Sequence, residues 1–409
     1  MLRSLSFKAD PPLPFHTYSY HRKKAIKEGY IDNLLDPGVR LGIIQQVLDG
    51  LMEIFAIPED YHIILLKENR FLVNSLASLM RRGTIIAGSS LFSDNFIMQT
   101  DEDFNPYFRS EDLSNKGSKI LLHWDLTNEK SGKLSPVYPK NEKDGKLSPE
   151  GLKNGKSGKL SPVYPKNEKS GKLSPEGLGS NNMGEMSLII QDIDPMTGYK
   201  LRPDDLKEGL DLNDLNFIHL DLSLSCPTDP LDYQNIQSFS FETKYGFGME
   251  QDLIVWILRE DLLNVLTEKF SGAIMEFDAG AAKSKKCIVQ PDLEIQRIYV
   301  LGKIMQDLLN RGLTIIRNEI RYKSIILYNS ISSNPNLAPL VNDPYFQSQN
   351  IICANTEIPR EKLLEFMSGN RIELDVLAGP DASSNIRIAN YPVHSKEQME
   401  FLVDHLEQF

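Results

Sequence analysis

The stretch FSFETKYGFGMEQDLIVWILREDLL (239–263) decides how the rest of the chain is read. An apolar run, IQSFSF (236–241), precedes Lys244, which leads into the turn Tyr245-Gly246-Phe247-Gly248; LIVWILR (253–259) then resumes the apolar character. Two short runs rich in aromatic and β-branched residues, separated by a tight Gly-containing segment, predict two buried strands. A lysine at the end of such a strand, between aromatic residues and a Gly-rich turn, is a candidate buried amine. Desolvation penalises its charged form and favours the nucleophilic one.

Upstream, NFIHLDLS (216–223) predicts another strand, with Asp221 at its carboxyl end, preceded by a helix over PDDLKEGLD (203–211). Nearer the N-terminus, GIIQQVLDGLMEIFAI (42–57) has helical spacing and ends at Pro58, HIILL (62–66) suits a buried strand, and FLVNSLASLMRR (71–82) predicts a helix. TIIAG (84–88) and KILLHWDL (119–126) follow as strands. Strands and helices alternating at this spacing predict an α/β domain with a mainly parallel sheet, of the seven-stranded type, and helices on both faces.

Downstream, EIQRIYVLGKIMQDLLNRG (294–312) is a long amphipathic helix closed by Gly312, and RNEIRYKSIILYNSI (317–331) is helical. QNIICANTE (349–357) and NIRIANY (385–391) predict strands, PREKLLEFMSG (359–369) a helix, and SKEQMEFLVDHLEQF (395–409) a closing helix with Ser395 as its N-cap. This texture predicts a smaller C-terminal α+β domain. The expected organisation is an N-terminal arm (1–40), a large α/β domain (41–265) interrupted by an insertion (128–182), and the small domain (266–409).

The insertion is a tandem array. Residues 128–179 read as four units of 13 residues, NEKSGKLSPVYPK, NEKDGKLSPEGLK, NGKSGKLSPVYPK and NEKSGKLSPEGLG. Each is rich in Gly, Ser, Pro and Lys and too poor in large apolar residues to offset the entropy of ordering, so the array is expected to be disordered. Its 11 Lys against 6 acidic residues leave about −16 on the remainder, given the total of −11. A duplication tolerated in a surface loop explains it more simply than a basic arm recruiting an acidic partner.

Composition excludes several classes. With 41% apolar and 25% charged residues the chain is neither disordered throughout nor membrane-embedded, and an acidic protein lacks the basic face a general nucleic-acid binder needs. Three cysteines without metal-ligand spacing argue against a disulfide scaffold or a zinc site, leaving a reducing cytoplasm as the natural location. Cys353, within a strand, reads as a buried structural thiol. No P-loop, GxSxG elbow or convincing GxGxxG is present.

Asp221 and Lys244 together suit pyridoxal 5'-phosphate, whose aldehyde a lysine holds as a Schiff base while an aspartate keeps the ring nitrogen protonated. Taken alone the pair is weak evidence, since either residue can be a structural ion-pair partner. IPEDYHIILL (57–66), 239–263, IYVLGKIMQDLLNRGL (298–313), IRIANYPVHSKEQMEFLVDHLEQF (386–409) and HWDLTNEKSG (123–132) resemble, in order and spacing, the phosphoserine aminotransferase branch of the class V aminotransferases. That resemblance implies the fold-type-I architecture, pyridoxal phosphate, a homodimer, and amino transfer between an amino acid and a 2-oxo acid. It also implies roles: Lys244 for the Schiff base, Asp221 under the ring nitrogen, Phe92 stacking on the ring, Arg387 on the substrate carboxylate, with Thr243, Arg70 and Thr127 near the cofactor.

Departures from the family pattern are as specific. The Gly-rich phosphate turn is replaced by Lys67-Glu68-Asn69-Arg70, the Gln before the lysine by Thr243, the inter-subunit Asn-Thr by Gln290-Pro291-Asp292, and the phosphate-reading His-Arg by Pro380-Asp381. A phosphorylated substrate is therefore not expected. The leading expectation is an aminotransferase; the alternatives are a catalytically degenerate binding or assembly module and a lyase of the same fold.

Overall fold

The structure, a computed structural model, describes residues 5–9, 12–30, 35–79, 85–87, 98–100, 106–108, 120–121, 186–201, 215–229, 231, 233, 236–269, 287–290, 292–378 and 384–408. The repeat array, the helix expected over 203–211, Phe92 and Thr127 lie outside these residues, as does most of the strand expected over 119–126.

Eight strands form the main sheet in the order β11(Cys287–Val289), β2(Tyr61–Leu66), β10(Ile254–Arg259), β9(Ser238–Glu242), β8(Leu215–Asp221), β7(Met186–Gln191), β3(Ile85–Ala87), β6(Ile120–Leu121). Only β10 runs against its described neighbours, so the sheet is mainly parallel, as expected, with one strand more than the seven anticipated. The antiparallel β9–β10 pair is the hairpin foreseen on either side of Lys244. Its register sets Phe239 opposite Ile257 and Phe241 opposite Val255.

Helices cover both faces. On one, α1(Tyr18–Lys27), α2(Pro37–Phe55) and α5(Ile295–Arg311) enclose a core with Leu65, Phe239, Phe241 and Val255. Asp36 starts α2 by accepting hydrogen bonds from the N–H groups of Gly38 (2.8 Å) and Val39 (3.3 Å). Gly312, at φ +91°, ends α5 where the sequence placed its stop. On the other face α3(Asn69–Leu79) and α4(Glu260–Lys269) pack on Ile64, Leu66, Phe217 and Trp256.

The second sheet is antiparallel, in the order β12(Ala338–Pro339), β13(Ile351–Thr356), β16(Ser384–Ala389), β15(Asp375–Ala378), while β1(Leu5–Ser6) pairs with β14(Ile372–Glu373) and β4(Met98–Thr100) with β5(Pro106–Phe108) in two-stranded sheets. Its outer face packs with α6(Leu313–Ser333), α7(Arg360–Gly369) and α8(Lys396–Leu406). Ser395 caps α8 in a reciprocal capping box with Gln398, as its position predicted. On the inner face Ile351, Cys353, Ala389 and Tyr391 cluster with Leu224 and Tyr245. The loops that follow Asp221 and Lys244 are thus anchored against the small sheet.

Candidate functional site at the carboxyl edge of the sheet

Because β2, β7, β8 and β9 are parallel, their carboxyl ends share one edge, where α/β sheets place their ligands. Asp221 ends β8 and is fully buried; its register partners are Gln191 on β7 and Ser240 on β9. Side chains alternate along a strand, so residues 238, 240 and 242 share a face. On that face the His219 ring lies between the hydroxyls of Ser238 (2.8 Å) and Ser240 (3.2 Å), and Trp256 Nε1 donates to Ser238 Oγ. Burial holds His219 far below its ordinary pKa, at about 3, so it is neutral.

A chain of hydrogen bonds links the two strand ends. Asp221 Oδ1 accepts from the Ser223 N–H (3.0 Å) and the Ser223 hydroxyl (2.6 Å), and Ser223 Oγ accepts the Glu242 N–H (3.0 Å). Glu242, only 6% exposed, turns its carboxylate to two partners. Oε2 lies 2.7 Å from Lys244 Nζ and Oε1 accepts from Asn69 Nδ2 at 2.7 Å. Asn69 is the first residue of α3, immediately beyond β2.

Lys244 is therefore a half-buried ammonium ion paired with a buried carboxylate. Desolvation is the largest influence on it and lowers its pKa, but the combined opposing pull, led by the Glu242 charge and hydrogen bond, carries the pKa above the ordinary lysine range. Its ammonium also lies 4.7 Å from the centre of the Tyr245 ring. Thr243 faces away, its hydroxyl donating to Asp252 Oδ1 (2.9 Å), which also takes the Lys244 N–H (2.9 Å). Burial, then the nearby Glu242 charge, raises Asp252 to about 7.

The Lys67–Arg70 turn closes the same edge. Lys67 donates its N–H to Gln290 Oε1 (2.9 Å), while its ammonium stands 3.7 Å from both Asp292 and Glu294. Glu68 and Arg70 point to solvent. Arg387, on β16, is engaged elsewhere: Nε and the Nη2 amine are each 3.0 Å from Asp375 Oδ2, and Nη1 donates to the Pro195 carbonyl at 3.2 Å. A second buried ion cluster follows β7, with Lys200 Nζ 2.6 Å from Asp192 and 2.7 Å from Asp229, and the Ser225 hydroxyl bonded to Asp192.

The structure brings Lys244, Thr243 and Asp221 to one edge, with Arg70 on the first turn of the neighbouring helix. Glu242, Asp252 and Asn69 were not singled out in the sequence. One signal was present for Glu242: the sequence carries an acid two residues before Lys244, and the turn that follows β9 brings the two side chains together. Among the described residues no group of His, Cys, Asp and Glu is placed to hold a metal.

No family model and no curated protein sequence matches this chain. Solved structures do. Phosphoserine aminotransferase from Cytophaga hutchinsonii superposes with a TM-score of 0.69 at 17% identity, covering 100% of this chain and 99% of that one. The chain has the aminotransferase fold. Ureidoglycine-glyoxylate aminotransferase from Bacillus subtilis gives 0.64 at 13% identity, covering 100% and 93% of the two chains. The pyridoxal-phosphate-bound phosphoserine aminotransferase from Trichomonas vaginalis gives 0.60 at 12%, covering 99% and 100%.

The aminotransferase fold implies pyridoxal phosphate, and the described residues do not fit it. A cofactor aldehyde needs a neutral lysine amine, and Lys244 is held as an ammonium by a carboxylate 2.7 Å away. A cofactor phosphate needs backbone N–H groups or cations near α3. There the Asn69 side-chain amide is taken by Glu242, and the Lys67 ammonium stands between Asp292 and Glu294.

Proposed function

We propose that this chain is an aminotransferase-fold protein that is catalytically silent as folded and acts as a binding or assembly module. The observation that carries this reading is the Glu242 carboxylate, ion-paired with Lys244 and hydrogen-bonded by the first residue of α3. With Lys244 charged, no free amine faces a carbonyl compound. Arg387, the guanidinium expected on a substrate carboxylate, is held by Asp375.

A second reading has an observation of its own in favour. Asp221 ends β8 and Lys244 lies two residues beyond the end of the adjacent parallel strand β9, at the ligand edge, the arrangement on which amino transfer between an amino acid and a 2-oxo acid would rest. In that reading Lys244 is the reacting amine, Asp221 the ring-nitrogen partner, Phe92 the stacking ring and Arg387 the carboxylate ligand. Both readings take the chain as a homodimer, from the resemblance, and as cytoplasmic, a location supported by three buried free thiols. Among the described residues no helix is long and apolar enough to cross a membrane.

The deciding experiment is a visible spectrum of the purified protein titrated with pyridoxal phosphate, together with an amino-transfer screen of unphosphorylated amino acids and 2-oxo acids. The silent reading expects no saturable band and no transfer. Transfer that disappears in Lys244→Ala overturns it.

A further inference from the structure

Glu242 is fixed independently of the lysine it neutralises. Its backbone N–H is tied to Ser223 and its Oε1 to Asn69, so Oε2 is presented to Lys244 by contacts on two other elements. Lys244 is the more exposed partner, its side chain 31% exposed against 8% for Glu242. The remaining carboxylate nearby, Asp252, is occupied by the Lys244 N–H and the Thr243 hydroxyl.

We infer that Glu242 is the specificity-determining residue that keeps Lys244 out of carbonyl chemistry, so that a neutral side chain at 242 turns Lys244 into a nucleophilic amine toward aldehydes. This inference rests on the silent reading above and assigns its cause to one positioning residue. Without the Glu242 charge, the desolvation that disfavours an ammonium acts on Lys244 with far less opposition. The free amine then attacks an aldehyde carbon; the C=N bond forms, and the carbonyl oxygen leaves as water with the two amine hydrogens. Added borohydride supplies the hydride that reduces the imine to a stable secondary amine.

The test treats wild type, Glu242→Gln, Glu242→Ala and Glu242→Gln/Lys244→Met with pyridoxal phosphate, and separately with pyridoxal, followed by borohydride and peptide mapping. Exposed Lys23 and Lys362 serve as internal references. Labelling at Lys244 relative to these should rise at least about tenfold in both single variants, the change expected for one pKa unit below saturation. Equal relative labelling in wild type and variants overturns the inference. Should the variants unfold, wild type still decides: across pH 7 to 10 Lys244 should label more slowly than Lys23 and Lys362, and labelling in step with them overturns it. Failure of the silent reading looks different, because wild type alone would then take up pyridoxal phosphate at Lys244 and transfer amino groups.

Discussion

Arg387 and Asp375 are register partners on adjacent antiparallel strands, and two guanidinium nitrogens of Arg387 converge at 3.0 Å on one oxygen of Asp375. The same oxygen accepts the Ala9 N–H at 2.9 Å, so the pair also pins the N-terminal segment to the small sheet. Both side chains are largely buried, 14% and 12% exposed. Of the two roles open to a strand arginine here, substrate clamp or partner of a local acid, the geometry displays the second.

Asp375→Ala should therefore cost about 2–4 kcal/mol, since removing one member of a buried pair leaves the other charge uncompensated. Urea unfolding of Asp375→Ala, Arg387→Leu and the double variant measures it, and the double variant should recover much of the loss. A cost below about 0.5 kcal/mol for Asp375→Ala would remove the structural role assigned to the pair.

Lys244→Met should also destabilise, by roughly 1–3 kcal/mol, because it strands the Glu242 carboxylate in the interior. Glu242→Gln/Lys244→Met should be more stable than Lys244→Met alone. A lysine kept solely for chemistry predicts the opposite pattern, with Lys244→Met neutral in thermal unfolding.

Asp252 is raised to about 7 in the folded protein, against an ordinary value near 3.8. A raised folded value means that the group's contribution to stability is complete below the unfolded pKa and is lost as pH rises through 7. Asp252→Asn should gain stability over wild type between pH 5 and pH 8 by on the order of 2 kcal/mol, and by less in a Glu242→Gln background. Parallel stability curves for wild type and Asp252→Asn would show that the carboxyl is not shifted.

His219 and His394 are both buried and held neutral, each at about 3. With the folded value depressed below the unfolded 6.5, their contribution is present above pH 6.5 and is lost as pH falls toward 3. Together they should steepen the acid side of the stability curve by up to about 2.7 kcal/mol per pH unit. His219→Gln should halve that increment; a slope unchanged from wild type would rule the burial effect out.

Gly246 sits where the turn after Lys244 meets another backbone. A Cβ there would lie 1.6 Å from the Cys226 carbonyl oxygen and 2.6 Å from its carbon. Neither atom belongs to a flexible side chain, so Gly246→Ala should lower stability by about 3 kcal/mol or more and move the Lys244 turn. A melting temperature within about 2 °C of wild type would mean that the turn relaxes freely.

Local patterns determined much of the architecture. The apolar runs on either side of Lys244 pair as β9 and β10, Gly312 stops α5, and Ser395 caps α8, because burial periodicity and capping act over a few neighbouring residues. The arrival of Asp221 and Lys244 at one edge was also legible, since parallel strands put their carboxyl ends together. What the tertiary structure alone decided is the state of those groups. Lys244 meets Glu242, whose carboxylate is fixed by Asn69, 173 residues away along the chain, and Arg387 meets Asp375 and the Pro195 carbonyl. Charge state depends on burial and on the nearest few ångströms of surroundings, and residues far apart in sequence supply both.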